Sequence, residues 1–516
     1  MIIISSQTKR KTMIKQTSNN QEIPLQSQII SPKDLNLQKF FKFKSFNAMQ
    51  KQCLNPVLKS SENILVSAPT ASGKTVIFEL GIIKAMGGPS GKNCDSKLAI
   101  YICPNKALCQ EKVFQWREKF ESVWSHLPVN ECTSDANFGG NNYKEKISNG
   151  LMIGTPEKVT HIFNNWKSYR KLISNLTLFM VDEIHLISQE DRGFLLESLL
   201  TKIKSIKNMS EFQNKPVSQV RFIAVSATLG NIKDIAQWLM VPDSGLKIFG
   251  KEFRPVQLKK MVLGFNCKTN PFLFDRYLNF KLPDLINKYS EKKPCLIFVS
   301  TQKSAVFTCE KLIDSMPNNR MYLENQLQLT SLISTANSME NSDLKVFLPY
   351  GIGFHHSSLS PSDRKNVENQ FKSNNIKVLV TTSTLAQGVN LPAYLVIIKG
   401  TTGYRGQGKG YSQLSAVEIF QMMGRAGRPQ FDTSGRVIVM TYRRNINKIQ
   451  HMVNGDLQDI KVVSQFNKGL DNNLNSEIAS RIIKTYQDAI GYFSNSLLFV
   501  QISKSQKLEK NPIRLE

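Results

Sequence analysis

The chain has 516 residues, of which 67 are Lys or Arg and 40 are Asp or Glu, giving a formal net charge of +27. Hydrophobic residues make up 41% and charged residues 21%, a globular composition with enough apolar material for several cores, and the length suggests roughly three to four domains. The cationic excess attracts polyanions. No apolar run approaches the roughly 18 residues of a membrane span, and the eight cysteines show neither C-x-x-C nor zinc spacing. The composition therefore predicts no membrane span and no structural metal, with reduced thiols in a cytosolic or nuclear protein.

Residues 1–35 are rich in Gln, Asn, Ser and Lys and read as a flexible polar tail. The opening Met1-Ile2-Ile3-Ile4 is too short for a secretory core. Lys9-Arg10-Lys11 reads either as a solvated basic run or as a nuclear-import patch. From Phe40 onward, short continuous apolar runs recur at 63–67, 98–102, 178–181 and 221–225. They lack polar alternation, as parallel strands covered on both faces do, and helical stretches between them make βαβ units. A second set lies at 295–299, 377–380, 395–398 and 436–440. The expectation is an α/β protein with two parallel-sheet domains, 36–250 and 291–445, facing a cleft and joined by a connecting region at 251–290. From 446 to 516 helical patterning takes over, as a small third domain or part of one.

The strongest local signal is Ala68-Pro69-Thr70-Ala71-Ser72-Gly73-Lys74-Thr75, which follows a strand and opens an apolar helix (Val76, Ile77, Phe78, Leu80). Backbone N–H groups around Gly73 and the helix N-terminus can cradle a phosphate. Lys74 would neutralise the β- and γ-phosphates of ATP, and Thr75 would hold Mg²⁺. Ala68, Thr70 and Ser72 complete the loop, Ala68 standing where the general pattern has its first glycine. Asp182-Glu183-Ile184-His185 ends another strand. There Asp182 can hold Mg²⁺ through water and Glu183 can activate the attacking water; an ordinary acidic loop is the bland alternative, which the preceding phosphate loop disfavours. Ser226-Ala227-Thr228 ends a third strand. Ser226 and Thr228, with His185, read as a link between the nucleotide site and a nucleic-acid cleft, although the tripeptide alone is weak. Gln421-Met422-Met423-Gly424-Arg425-Ala426-Gly427-Arg428 places two arginines on one expected helical face. Across a cleft, Gln421, Arg425 and Arg428 would stabilise charge on a transferring γ-phosphate.

In this order the motifs resemble superfamily-two helicases of the DExH type. Phe46 with Gln50 is similar to the adenine-reading Q motif, 104–111 to motif Ia, 154–158 to motif Ib, 353–359 to motif IVa and 381–393 to motif V. The runs GFHHSSL, TLAQGVNLPA and GRAGRPQFD resemble the Ski-like branch. YICPNKALCQEK, RFIAVSATLGNIKDIAQWL and FRPVQLKKMVLGFNC are most similar to its Mer-type meiotic crossover helicases. The resemblance spans about 40–500 and implies two RecA-like domains followed by a winged-helix segment.

It also implies that Gly388 and Asn390 touch the nucleotide, and that Lys106, Thr155, His355, Thr382 and Thr384 grip one strand's backbone. The lysine and the threonines read equally well as caps or strand ends, and His355 as a packing residue. Between motifs V and VI the branch carries a duplex-splitting β-hairpin, for which 400–411 with Tyr404 is the candidate; a plain mobile loop stays open. The implied function is an ATP- and Mg²⁺-dependent DNA helicase moving three-prime to five-prime in homologous recombination and meiotic crossover formation. Its implied setting is a nuclear monomer acting on single-stranded and branched DNA, with recombination proteins as candidate partners. An RNA helicase of the same branch and a non-catalytic nucleic-acid clamp are the alternatives. Family members continue into a helical ratchet bundle, whereas this sequence stops at Glu516, about where a winged helix would be completing.

Overall fold

A computed structural model describes residues 29–92, 96–133, 148–190, 192–267, 270–316, 322–383, 385, 391–404, 406, 410–429, 431–455 and 461–509. The first domain is built on β1 (Ile64–Ser67), β2 (Leu98–Ile102), β3 (Val129–Cys132), β4 (Gly150–Gly154), β5 (Leu176–Val181), β6 (Arg221–Ser226) and β7 (Leu246–Ile248). They form one parallel sheet in the order β3-β4-β2-β5-β6-β1-β7. The four expected runs are its central strands. Each is apolar throughout because alternate residues enter different cores: Ile64 and Val66 face one, Leu65 the other. On the Ile64 face lie α1 (Ala48–Lys59), α2 (Thr75–Ala85) and α3 (Lys106–Trp116); on the other lie α4 (Pro156–Asn164) and α5 (Gly193–Ile206). The edge strand β3 went unpredicted because it carries polar Asn130 and Glu131, and β7 because it is only three residues long.

The second domain uses β8 (Gln257–Phe265), β9 (Cys295–Val299), β10 (Ile352–His355), β11 (Val378–Thr382), β12 (Leu395–Lys399), the short pair β13 (Thr402–Tyr404) and β14 (Tyr411–Gln413), and β15 (Ser434–Tyr442). Its parallel sheet runs β10-β11-β9-β12-β15-β8, while β13 and β14 pair antiparallel beside it. Its helices include α6 (Pro271–Asn279), α7 (Gln302–Asp314), α8 (Pro361–Lys372) and α9 (Ala416–Met423). The stretch 251–290, expected as a connector, supplies part of this domain. β8 is its edge strand, and Phe274, Leu278, Leu282, Leu285 and Ile286 lie in its core. The polar alternation of Gln257, Lys259 and Lys260 along a half-exposed edge hid the strand from a search for continuous apolar runs.

The chain after 445 divides between the two domains. In α10 (Ile446–Asn454), Ile449 and Val453 join the second core, and Lys260 Nζ donates to Val453 O at 2.7 Å. Then α11 (Leu470–Ala479), α12 (Tyr486–Ser494) and α13 (Leu497–Glu509) dock on the first domain, where Phe466, Tyr492 and Leu497 enter the core of the α5 face. Among the described residues this segment is helical, with no strand after β15. At the other end the first domain begins earlier than expected: the Phe46 amide donates to Ile30 O, and 33–35 form a short helical turn. Residues 1–28, with the basic run at 9–11, lie outside the described residues.

Buried polar groups join the C-terminal helices to α5. Lys202 Nζ lies 2.7 Å from Glu477 Oε1, with side chains 2% and 0% exposed. Glu197 accepts from Ser464 Oγ and the Leu498 amide, and burial pushes its carboxyl up to about 7. Removing one partner of the buried pair leaves a charge in an apolar seam, so Lys202→Met is expected to cost about 3–5 kcal/mol in denaturant unfolding. The double change Lys202→Met with Glu477→Leu recovers most of that loss.

Candidate active site

The phosphate loop connects β1 to α2 in a backbone that favours few sequences. Ala71 sits at φ 66° and Gly73 at φ 86°, both in the left-handed region. A Cβ on Gly73 would also lie 2.6 Å from Gln50 Nε2, so only glycine meets both demands. Gln50 Oε1 accepts the Asn47 amide, completing a capping box on α1, while its Nε2 donates to Gly73 O at 3.2 Å. Asn47 Nδ2 likewise donates to Ser72 O at 2.9 Å. The Q-motif residues thus brace the loop from outside; Asn47, which sequence reasoning passed over, is legible as the Asn-x-x-Gln of a helix start. Ser72 Oγ donates back to Pro69 O, and Ala68 is fully buried. Lys74 Nζ donates to Ala68 O (3.1 Å) and Ser226 O (3.4 Å), and Thr75 opens α2.

Asp182 and Glu183 leave the end of β5 opposite this loop. Tyr101 on β2 donates its hydroxyl to Asp182 Oδ2 at 2.6 Å. That tyrosine was unreadable in sequence, being one aromatic in an apolar strand. Glu183 adopts φ 51°. Burial raises its pKa, but Lys74, then His185 and Arg425, outweigh burial and hold the carboxyl below its usual range. Asp182 moves the other way, pushed up by burial and then by Glu183, against the pull of Tyr101 and Lys74. A carboxylate at a strand end opposite the phosphate loop, with a threonine hydroxyl at the start of α2, is an oxygen donor set that fits a divalent cation, and Asp182 with Thr75 are the residues able to hold it.

His185 is buried, and burial lowers its pKa against the raising pull of Glu183. Its Nδ1 accepts the Ala227 amide at 3.4 Å and lies 3.5 Å from Ser226 Oγ. The same Nδ1 lies 3.4 Å from Glu183 Oε2, and Nε2 is 3.5 Å from the Gln421 amide on α9 of the other domain. Gln421 Oε1 is buried without a partner. A half-turn of that amide would bring the oxygen, instead of the nitrogen, to His185 Nε2. His185 and Ser226 thus join the DEIH strand to its neighbour and to the opposite domain. Thr228 is buried just beyond.

The two arginines do not share a helical face. α9 ends at Met423, Gly427 turns at φ 86°, and Ala426 bridges Ala393, with the Gly427 amide bonding to Ala393 O. The glycines on both sides of Arg425 end the helical period, which the spacing alone did not reveal. Arg425 is half-buried and interacts electrostatically with Glu183 and Glu111 of the first domain. Arg428 instead pairs with Asp432 at 2.8 Å and lies over the Phe431 ring. A Cβ on Gly424 would fall 2.8 Å from Thr70 Cγ2, so the domains touch across the cleft at the phosphate loop.

The expected nucleic-acid residues fall into three groups. Lys106 begins α3, Thr155 is the buried N-cap residue of α4, and Thr382 ends β11 in a buried position. His355 is buried and its Nε2 meets Glu368 Oε1 at 3.0 Å, while His356 stacks on Phe354. Both histidines are thus side chains of the second core rather than an open surface. Tyr404 is 44% exposed at the end of β13, its ring 5.4 Å from that of Tyr411 on β14. Thr402–Tyr404 and Tyr411–Gln413 pair antiparallel, while 405, 407–409, Thr384, Gly388 and Asn390 lie outside the described residues. Arg192, unnoticed in sequence, ties two motifs together by donating to Pro104 O (2.6 Å) and pairing with Glu157 (3.0 Å).

Two facing parallel-sheet domains, with a phosphate loop and a carboxylate pair on one and an arginine on the other, have the architecture of the helicase class. Residues 47–235 match the DEAD/DEAH box helicase family, and residues 279–430 match the helicase conserved C-terminal domain; the chain belongs to these helicases, whose domains imply use of ATP. It is 37% identical over 90% of its length to the probable ATP-dependent DNA helicase HFM1 of Xenopus tropicalis, covering 34% of that protein. It is 35% identical over 90% of its length to the ATP-dependent DNA helicase MER3 of Saccharomyces cerevisiae, covering 37%. It is also 35% identical over 90% of its length to the RQC trigger complex helicase SLH1 of the same yeast, covering 23%. The chain thus spans about a third of the length of the DNA helicases it matches. No helix among the described residues is long and apolar enough to cross a membrane.

Proposed function

We propose that this chain is the motor of an ATP- and Mg²⁺-dependent DNA helicase acting in meiotic recombination, and hence in the nucleus. The observation that carries the reading is the cross-cleft arrangement, in which Arg425 of one domain faces Glu183 of the other while Gln421 reaches His185. Lys74, Asp182, Glu183, Gln421 and Arg425 are all present and brought together, which speaks against a non-catalytic clamp.

Lys74 and the loop amides would hold the nucleotide phosphates, and Thr75 with Asp182 would hold the magnesium, which would supply neutralisation of phosphate charge. Glu183, kept ionised, accepts the proton of the attacking water, and Arg425 stabilises the charge that develops on the leaving phosphates. His185 transmits the closed arrangement to Gln421, and reopening releases it. The hairpin β13–β14, presenting Tyr404, splits the duplex as the strand advances three-prime to five-prime; Lys106, Thr155, Thr382 and Thr384 hold that strand's backbone.

The DNA assignment rests on the HFM1 and MER3 similarity. Its test is ATP hydrolysis stimulated by single-stranded DNA or RNA of matched length. DNA is expected to stimulate more strongly, and the stimulation to fall with salt as backbone contacts do. Preference for RNA would assign the chain to the RNA-acting reading instead.

A further inference from the structure

We propose that Lys399 is a positioning residue for strand separation, setting the angle of the hairpin β13–β14 from inside the second domain. This rests on the hairpin reading above. Lys399 is the last residue of β12, and its side chain is 0% exposed. Its Nζ meets four acceptors: Asn279 Oδ1 at 2.7 Å, Thr308 Oγ1 at 2.8 Å, and Asp275 Oδ2 and Ser304 Oγ at 3.1 Å each. Asp275 and Asn279 are four apart on α6, and Ser304 and Thr308 are four apart on α7. Each pair shares one helical face, so the ammonium pins the end of β12 where two helices meet. The helices are cross-linked in turn, Ser304 Oγ donating to Asp275 Oδ2 (2.6 Å) and Thr308 Oγ1 to Asn279 Oδ1 (3.0 Å).

The knot lies directly beneath the hairpin. Gly400 turns at φ 92° with open space around it, Thr401 Oγ1 bonds Thr441 Oγ1 of β15 at 2.9 Å, and the Leu414 amide closes the base on Thr401 O. Tyr411, on the returning strand, hydrogen-bonds Ser300 and lies within the field of Asp275. One residue after Lys399, therefore, the chain leaves the sheet through a glycine with open space around it. The direction of the hairpin is set by what holds its two ends, and Lys399 holds the first.

A stability role accounts poorly for this knot. Asp275 Oδ1 and Asn279 Nδ2 remain buried without hydrogen-bond partners, and a buried ion pair is commonly no more stabilising than apolar residues of the same volume. What it supplies is one geometry.

The test uses the full chain on a forked DNA duplex carrying 2-aminopurine in the first base pair at the junction, whose fluorescence rises when that pair opens. The variants are Lys399→Met, the double change Lys399→Met with Asp275→Asn, which leaves no unpaired buried charge, and Tyr404→Ala at the hairpin itself. The double variant is expected to melt as the wild type does and to keep its hydrolysis with single-stranded DNA. Its junction signal is expected to fall about tenfold or more, the scale on which an ångström of misplacement acts. A normal junction signal in the double variant, with the signal lost in Tyr404→Ala, overturns the role of Lys399 and leaves the hairpin reading intact. Loss of hydrolysis and signal together in the double variant makes Lys399 a general scaffold residue and also overturns the proposal. If the wild type opens no pair, or Tyr404→Ala opens it normally, the hairpin reading itself fails and takes this proposal with it.

Discussion

Replacing Arg425 with alanine lowers ATP turnover by about 10³-fold, the lower end of what an arginine supplied across a cleft contributes. The reason is geometric. Arg425 is the cation that the second domain presents to Glu183, half-buried where the domains meet. In the proposed mechanism it acts on charge that develops in the transition state, so nucleotide affinity is expected to change little while kcat falls. Steady-state kinetics with single-stranded DNA, paired with direct nucleotide binding, check the split. A loss confined to affinity would place Arg425 in ground-state binding instead.

Glu183→Gln is the second large effect. Glutamine keeps the shape and hydrogen bonds of glutamate but cannot take the proton of the attacking water. Turnover is expected to drop by about 10²–10⁴-fold, the usual contribution of a positioned base. The change also removes the negative charge that pushes Asp182 up and that opposes the lowering of His185. Nucleotide binding should therefore persist or tighten slightly, measured by equilibrium titration with ATP in the presence of magnesium. Near-normal turnover in this variant would remove Glu183 from the mechanism.

Much of this was legible in the sequence because the functional residues lie at the ends of the most apolar strands. Continuous apolar runs locate β1, β2, β5 and β6, and the chemistry follows each of the last two within a residue or so: Asp182 after β5, Ser226 closing β6. What escaped did so for identifiable reasons. Tyr101, the partner of Asp182, looks like any strand aromatic, because only pairing of β2 with β5 brings it alongside. The i, i+3 spacing of Arg425 and Arg428 suggested a shared face; backbone pairing of Ala426 with Ala393 separates them. β8 looked like a connector because a half-exposed edge strand carries lysines. The docking of 461–509 on the first domain depends on contacts such as Lys202 with Glu477, nearly three hundred residues apart, which no local pattern encodes.

In the proposed function, the second-domain and first-domain residues make one site when the cleft is closed, and nucleic acid bound across both domains would favour closure. The most direct measurement is the steady-state rate of ATP hydrolysis by this chain with and without single-stranded DNA, run beside Arg425→Ala. The account predicts a rate that rises at least about tenfold with DNA in the wild type, the scale of a coupling free energy between sites, and that hardly responds in the variant. Equal rates with and without DNA, or an undiminished response in Arg425→Ala, would contradict it.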